Sequence, residues 1–285
     1  MSADLDSTYG KMRQASKHLR SLKEELRIFL EREPVTLTSH RNRERTEEWW
    51  ITNFREPIPE VVPLLIGDIA HNLRTALDHL VYALALLKGR PHSSTQFPIT
   101  KSREKFYEKL KQPKRAARPF SPSSGMSKIT GLTPVAQALI EQAQPYHGGD
   151  SVLLLMLASM DNGDKHRLLI PTFAIPDYWT HGAQPGTDLR VLRYALKDRA
   201  PFAKVTYDPD CTEVDVQLGL TPQIGFVFTD GGVREASDMM RWLAITVEQV
   251  IWKARPIAGY PNPPGPSAEE IHARQDHWRL TGTAD

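Results

Sequence analysis

Only one cysteine, Cys211, occurs in the 285 residues, which excludes an intramolecular disulfide and any Cys-x-x-Cys metal or redox motif. It lies in the turn YDPDCTEV with no histidine close by in sequence, so a thiol nucleophile would lack a neighbouring base. No His-Glu-x-x-His motif and no Gly-rich phosphate loop occur; TDGGV and GYPNPPG read as turns. The longest apolar runs, such as VLLLMLA at 152–158, are too short to span a bilayer. The opening MSADLDSTYGKMRQ has no apolar core of a secretion signal, so a cytoplasmic protein is expected. A net charge of +2 gives no global case for nucleic-acid or membrane binding.

What is present is an ordinary globular composition, 40% hydrophobic and 25% charged, arranged as helices at both ends of a β-rich stretch. Met12, Ala15, Leu19, Leu22, Leu26 and Phe29 alternate spacings of three and four and predict a helix over 8–32, stopped by Pro34. VTLTSHRNRERTEEWWITNF predicts two strands around a charged turn. A long helix over 63–88 ends at Gly89 and Pro91. KSREKFYEKLKQ reads as a short basic helix before a Pro/Ser-rich loop, and Thr133-Pro134 opens another helix. An apolar helix over 150–168 precedes four expected strands at 188–196, 201–208, 212–220 and 223–229, then a last helix at 234–254. The expected fold is α+β: a helical core of about four main helices with one small antiparallel sheet, formed by the 34–54 hairpin and the later strands. Residues 1–255 are expected to form a single domain, and 256–285 a Pro-rich linker and mobile tail with a short helix capped by Ser267.

The 63–88 helix is unusual in what it omits. GDIAHNLRTALDHLVYALALL, 67–87, contains neither lysine nor glutamate. Opposite its apolar stripe stand Asp68, His71, Asn72, Thr75, His79 and Tyr82, within roughly 100° of arc. Arg74 and Asp78 lie beside them. Short polar side chains are poor helix formers and have little use on an open face, so a mostly buried or cleft-lining seam is expected. That seam is either a structural hydrogen-bond network or a catalytic site. A second box, MDNGDKHRLL, places Asp161, Asp164, Lys165, His166 and Arg167 at the end of the 150–168 helix. They either meet the seam or, with Gly163 breaking the helix, face its C-terminal carbonyls. Asp68 with His71 or Asn72 has a helical metal-ligand spacing that Asp161, Asp164 and His166 could complete, so a metal-dependent hydrolase is a third reading; no cofactor is expected under the first two.

HNLRTALDHL and DNGDKHR resemble paired boxes in a family of bacterial proteins of uncharacterised activity, over roughly residues 60–170. More distantly, Arg74 and His79 resemble the Arg-x4-His helix of HEPN proteins, many of which are metal-independent ribonucleases paired across a dimer. That resemblance implies that His79 handles the 2′-hydroxyl proton and Arg74 the phosphate charge, with Asp78 or Asn72 orienting the histidine; it implies RNA and a second copy of the chain as partners. The same spacing recurs at Arg13 and His18. RNA also fits 101–118, whose eight basic residues, among them Lys109, Lys111, Lys114 and Arg115, face only two acidic ones and interleave with Phe106 and Tyr107. The remaining reading is a non-enzymatic binding or interaction protein.

Overall fold

A computed structural model of the chain describes residues 3–110, 119–164, 171–181, 187–193, 195–208, 216–227 and 233–261. The expected C-terminal tail from 262 onward and Cys211 lie outside the described residues. The fold is α+β. The helices are α1 Asp6–Glu31, α2 Val61–Leu86, α3 Arg103–Phe106, α4 Gly125–Ile129, α5 Pro134–Gln142, α6 Leu153–Asp164 and α7 Ala236–Ala254. The strands are β1 Val35–Arg41, β2 Glu47–Phe54, β3 Thr172–His181, β4 Thr187–Val191, β5 Ala200–Tyr207, β6 Gln217–Val227 and β7 Val233–Glu235. None of the described helices is long and apolar enough to cross a membrane.

The chain divides into two compact units. One comprises Met1–Arg20, Gly67–Arg167 and Arg241–Asp285; the other comprises Ser21–Ile66 and Leu168–Met240.

The first unit is helical. Leu73, Leu77, Leu80 and Leu84 of α2, Phe97, Phe106, Leu154 and Leu157 of α6, and Leu243 and Val247 of α7 are fully buried. The end of α2 is a Schellman turn. The N–H of Arg90 donates to the Ala85 carbonyl at 3.4 Å and that of Gly89 to Leu86 at 2.9 Å, with Gly89 at φ 67°. α5 starts as expected, its Pro134 in the first turn and the Thr133 hydroxyl accepting from the Ala136 N–H. The basic helix expected over 101–112 is a single turn, α3, capped by Ser102. Beyond it Lys109 pairs in a lone bridge with Phe120, which takes the chain out of helical geometry. The Pro/Ser-rich loop contains a helical turn, α4, because Ser124 caps it by accepting from the Ser127 N–H. Buried Gln144 fastens this unit internally. Its amide nitrogen donates to the carbonyls of Pro98 at 2.8 Å and Ile140 at 2.9 Å, while its oxygen accepts from the Thr100 N–H and hydroxyl, both at 3.1 Å.

The second unit holds the strands, and here the expected single sheet is two. One has the order β1-β2-β5-β4 and the other β3-β6-β7. The expected hairpin is present as β1 and β2, with Val35 opposite Phe54. The strands expected at 212–220 and 223–229 are continuous across Thr221-Pro222 within β6, while 211–215 lie outside the described residues. Proline is tolerated because the register shifts there. β3 bulges between Ala174 and Asp177, so Ile175 and Pro176 oppose Pro222 and no ladder N–H is demanded of either proline. β3 and β7 lie beyond the expected strands: Pro176-Asp177 interrupts the first, and the second has only the three residues Val233–Glu235. Phe173 stacks on Phe29 with centroids 5.8 Å apart and tilts against Phe54 at 4.6 Å.

Two glycines separate packing from propensity. A Cβ on Gly131 would lie 2.3 Å from the Arg90 carbonyl oxygen, whereas one on Gly10, inside α1, meets nothing nearer than 3.9 Å. Gly131→Ala is expected to lower stability by about 1–3 kcal/mol through forced backbone movement. Gly10→Ala should raise it by roughly 0.5–1 kcal/mol by removing backbone freedom from the unfolded chain. Urea unfolding of both variants checks the pair, and equal effects would contradict this geometry.

Candidate functional site

The site is built on α2. From Ile69 to Ala85 its buried side chains sweep about 200° of the helix circumference, twice the apolar stripe of an ordinary surface helix. The polar residues divide between the two margins of what remains. Arg74, Asp78 and His71 fall along one margin, and Asn72 and His79 along the other, with Asp68, Thr75 and Tyr82 between them. Asp68, His71 and Tyr82 are exposed, and Asn72, Arg74, Thr75, Asp78 and His79 are half-buried. The expectation of a mostly buried polar face is therefore corrected. The helix omits Lys and Glu because its margins touch other protein groups at short range, while its centre line is open.

Along the first margin, Arg74 and Asp78 grip the backbone of one residue, Phe97, through the two peptide units that flank it. Asp78 Oδ1 accepts the Phe97 N–H at 2.8 Å, and Arg74 Nη2 donates to the Phe97 carbonyl at 2.7 Å and lies 3.2 Å from Asp78 Oδ1. The Phe97 ring beside this grip is fully buried. Burial pushes the Asp78 carboxyl above its ordinary value despite Arg74 and the Phe97 N–H, and the nearby Asp161 charge adds to the rise. Lys128 of α4 belongs to the same cluster. Burial and then the Arg74 guanidinium press its ammonium below the usual lysine range, against the pull of Asp78.

Next along this margin is His71. Its Nδ1 lies 3.2 Å from Oδ1 of Asp161 on α6, and the two side chains differ sharply in access: 53% for the imidazole and 5% for the carboxylate. A buried carboxylate thus orients an open histidine. α6 continues through Gly163 to Asp164, which carries Asp161 inward instead of releasing it at a helix end.

The second margin is quieter. The Asn72 amide donates back to the Asp68 carbonyl of its own helix at 2.8 Å. Nδ1 of His79 is buried without a hydrogen-bond partner among the described residues, as is Nη1 of Arg74. Arg74 and His79 are separated by about 140° around the helix, so the expected catalytic pair does not share a margin within one chain. Neither Asp78 nor Asn72 is hydrogen-bonded to His79: one holds Phe97 and the other its own helix.

Of the remaining candidates, Lys109 is exposed. Lys111, Lys114, Arg115, Lys165, His166 and Arg167 lie outside the described residues, and so does the side chain of Asp164. Among the described residues no group of three His, Cys, Asp or Glu could hold a metal ion. Sequence reasoning missed Lys128 and the Phe97 peptide. Lys128 is one lysine in a Ser-rich loop, and a backbone acceptor leaves no mark in sequence.

The Arg74–Asp78 grip makes a prediction that does not depend on function. Arg74→Ala should cost about 2 kcal/mol, since a charged donor to the Phe97 carbonyl is lost. Asp78 has a folded value above 3.8, so its favourable contribution is complete below that pH and is lost as pH rises through the folded value. The stability of the wild type relative to Asp78→Asn should therefore fall across this acid window in unfolding titrations. A difference that instead grows with pH would show a carboxylate favoured in its charged form.

Compared with known protein families, curated proteins and solved structures, the chain matches none at a significant level.

Proposed function

We propose that the protein is a metal-independent ribonuclease whose proton-transferring residue is His71 in place of the expected His79. The observation that carries this reading is the buried Asp161 carboxylate facing Nδ1 of an exposed imidazole. With Nδ1–H donating to Asp161, Nε2 is left as an acceptor toward solvent, the arrangement a general base requires. His71 Nε2 takes the proton of a ribose 2′-hydroxyl. The 2′-oxygen then attacks the adjacent phosphorus, and the 5′-oxygen leaves with a proton from water, giving a 2′,3′-cyclic phosphate. The Lys128 ammonium offsets charge on the phosphoryl oxygens, and Arg74 acts as a positioning residue through Phe97. RNA is chosen for the basic 101–118 segment and the HEPN resemblance, which also suggests a homodimer; a cytoplasmic setting fits the single cysteine.

A second reading is a non-enzymatic binding protein whose seam only specifies packing. The observation favouring it is that Arg74 and Asp78 are committed to the Phe97 backbone. Cleavage of an RNA panel in EDTA separates the two. The ribonuclease reading expects His71→Ala to lower the rate by about 10²–10⁴-fold, His79→Ala and His18→Ala to leave it near wild type, and Asp161→Asn to lower kcat with little change in KM. A folded wild type that cuts no RNA leaves the second reading, and activity abolished by EDTA points to a metal-dependent hydrolase.

A further inference from the structure

The four-stranded sheet of the second unit presents two unlike faces. On one, Val205, Tyr207 and Val216 form an apolar cluster with Trp50 and Leu189. Glu48 is buried on this side. Burial alone would raise its carboxyl, but bonds from Tyr207, Ser39 and Arg41 outweigh that and hold it below the ordinary value. The Tyr207 hydroxyl donates to Glu48, and burial followed by that bond pushes it up to about 12. Glu48, Tyr207 and Arg41 are bonded to one another on this face.

The other face carries a row across all four strands. His40 of β1 is opposite Trp49 of β2, Trp49 is opposite Lys204 of β5, and Lys204 is opposite Arg190 of β4. Directly paired residues in an antiparallel sheet share a face, and strands lie about 4.8 Å apart, so the row spans roughly 14 Å. His40 and Arg190 are exposed, Trp49 and Lys204 half-buried. Lys204 Nζ sits over the Trp49 ring, 5.1 Å from its centre, and 2.6 Å from Glu47 Oε1, so the acid helps to fix the ammonium there. The adjacent row is Glu47, Thr206 and Asp188. Beyond it the β1–β2 turn exposes Arg43, Glu44 and Arg45.

We infer that this row is a binding platform for single-stranded RNA, with a base stacked on Trp49 and phosphates met by His40, Lys204 and Arg190. The occupant follows from complementarity. One aromatic plane bordered by cations suits alternating bases and phosphates, whereas a protein partner would want an apolar patch that this row lacks. Stacking on a ring and pairing with cations require no particular base, so recognition is tolerant of sequence. The choice of RNA rests on the ribonuclease reading, but the platform shares no residue with its proton-transferring site.

The test is fluorescence anisotropy of a labelled oligouridylate titrated with the full chain, in parallel with the cleavage assay. Trp49→Ala should weaken binding by about tenfold and Trp49→Phe much less. Joint Lys204→Glu and Arg190→Glu should weaken it further and reduce the salt dependence by about two released counterions. Trp242→Ala, removing an exposed tryptophan outside the sheet, should bind as the wild type does. A wild type that binds through Trp49 yet cuts nothing supports the platform and removes the catalytic reading. A wild type that cuts RNA while the Trp49 and charge-reversed variants bind equally well overturns the platform and keeps that reading. Absence of binding, or displacement of the RNA by polyglutamate at equal charge, also overturns it.

Discussion

Water is excluded from about 200° of the circumference of α2, and this sets the terms for every polar group the helix carries. A helix with so wide a dry arc has no room for a surface of long flexible ions. Its polar residues must find partners within a few ångströms or sit on the narrow open line. Arg74 lies inside the edge of the dry arc. Its guanidinium is kept there by a carbonyl and a carboxylate, since an ionised group in such surroundings is costly unless bonded. The Phe97 backbone is held on both sides of its Cα as a result, and the segment after Pro91 is drawn against the helix.

The same constraint explains the division of labour between two carboxylates. Asp78 serves two partners on its own margin and is still pushed toward its neutral form by burial. Asp161 is more deeply enclosed, yet it faces an imidazole whose far side meets solvent. Gln144 shows the alternative: an uncharged amide, equally buried, with all four of its bonds satisfied inside the protein. Gln144 closes upon itself in this way, while the His71 imidazole keeps an exposed side.

Much of this organisation could be read from residue patterns, and the failures have physical causes. The seams of α1 and α7, the β1–β2 hairpin and the Thr133 cap follow from local periodicity and capping chemistry. The absence of Lys and Glu singles out α2 in the sequence, but periodicity assigns a face without telling which margin meets which neighbour. His79 was therefore favoured on spacing, while the pairing of His71 with Asp161 spans ninety positions and depends on α6 running through Gly163. Pro222 suggested a turn because proline usually ends a central strand, and only the bulge opposite shows why it does not. The row His40, Trp49, Lys204 and Arg190 exists only through the strand order, which no local pattern encodes.

The bulge at Ile175-Pro176 and Pro222 has a consequence for how β3 and β6 find each other. Sliding one strand past the other by a single position would turn each side chain to the wrong face. It would also carry a proline into a place where the ladder needs a donor, so the misaligned pair loses a hydrogen bond as well as its packing. The two prolines act as a key and its ward. They add little to the correct alignment, and their effect is to make the neighbouring alignments poor competitors while the chain is folding.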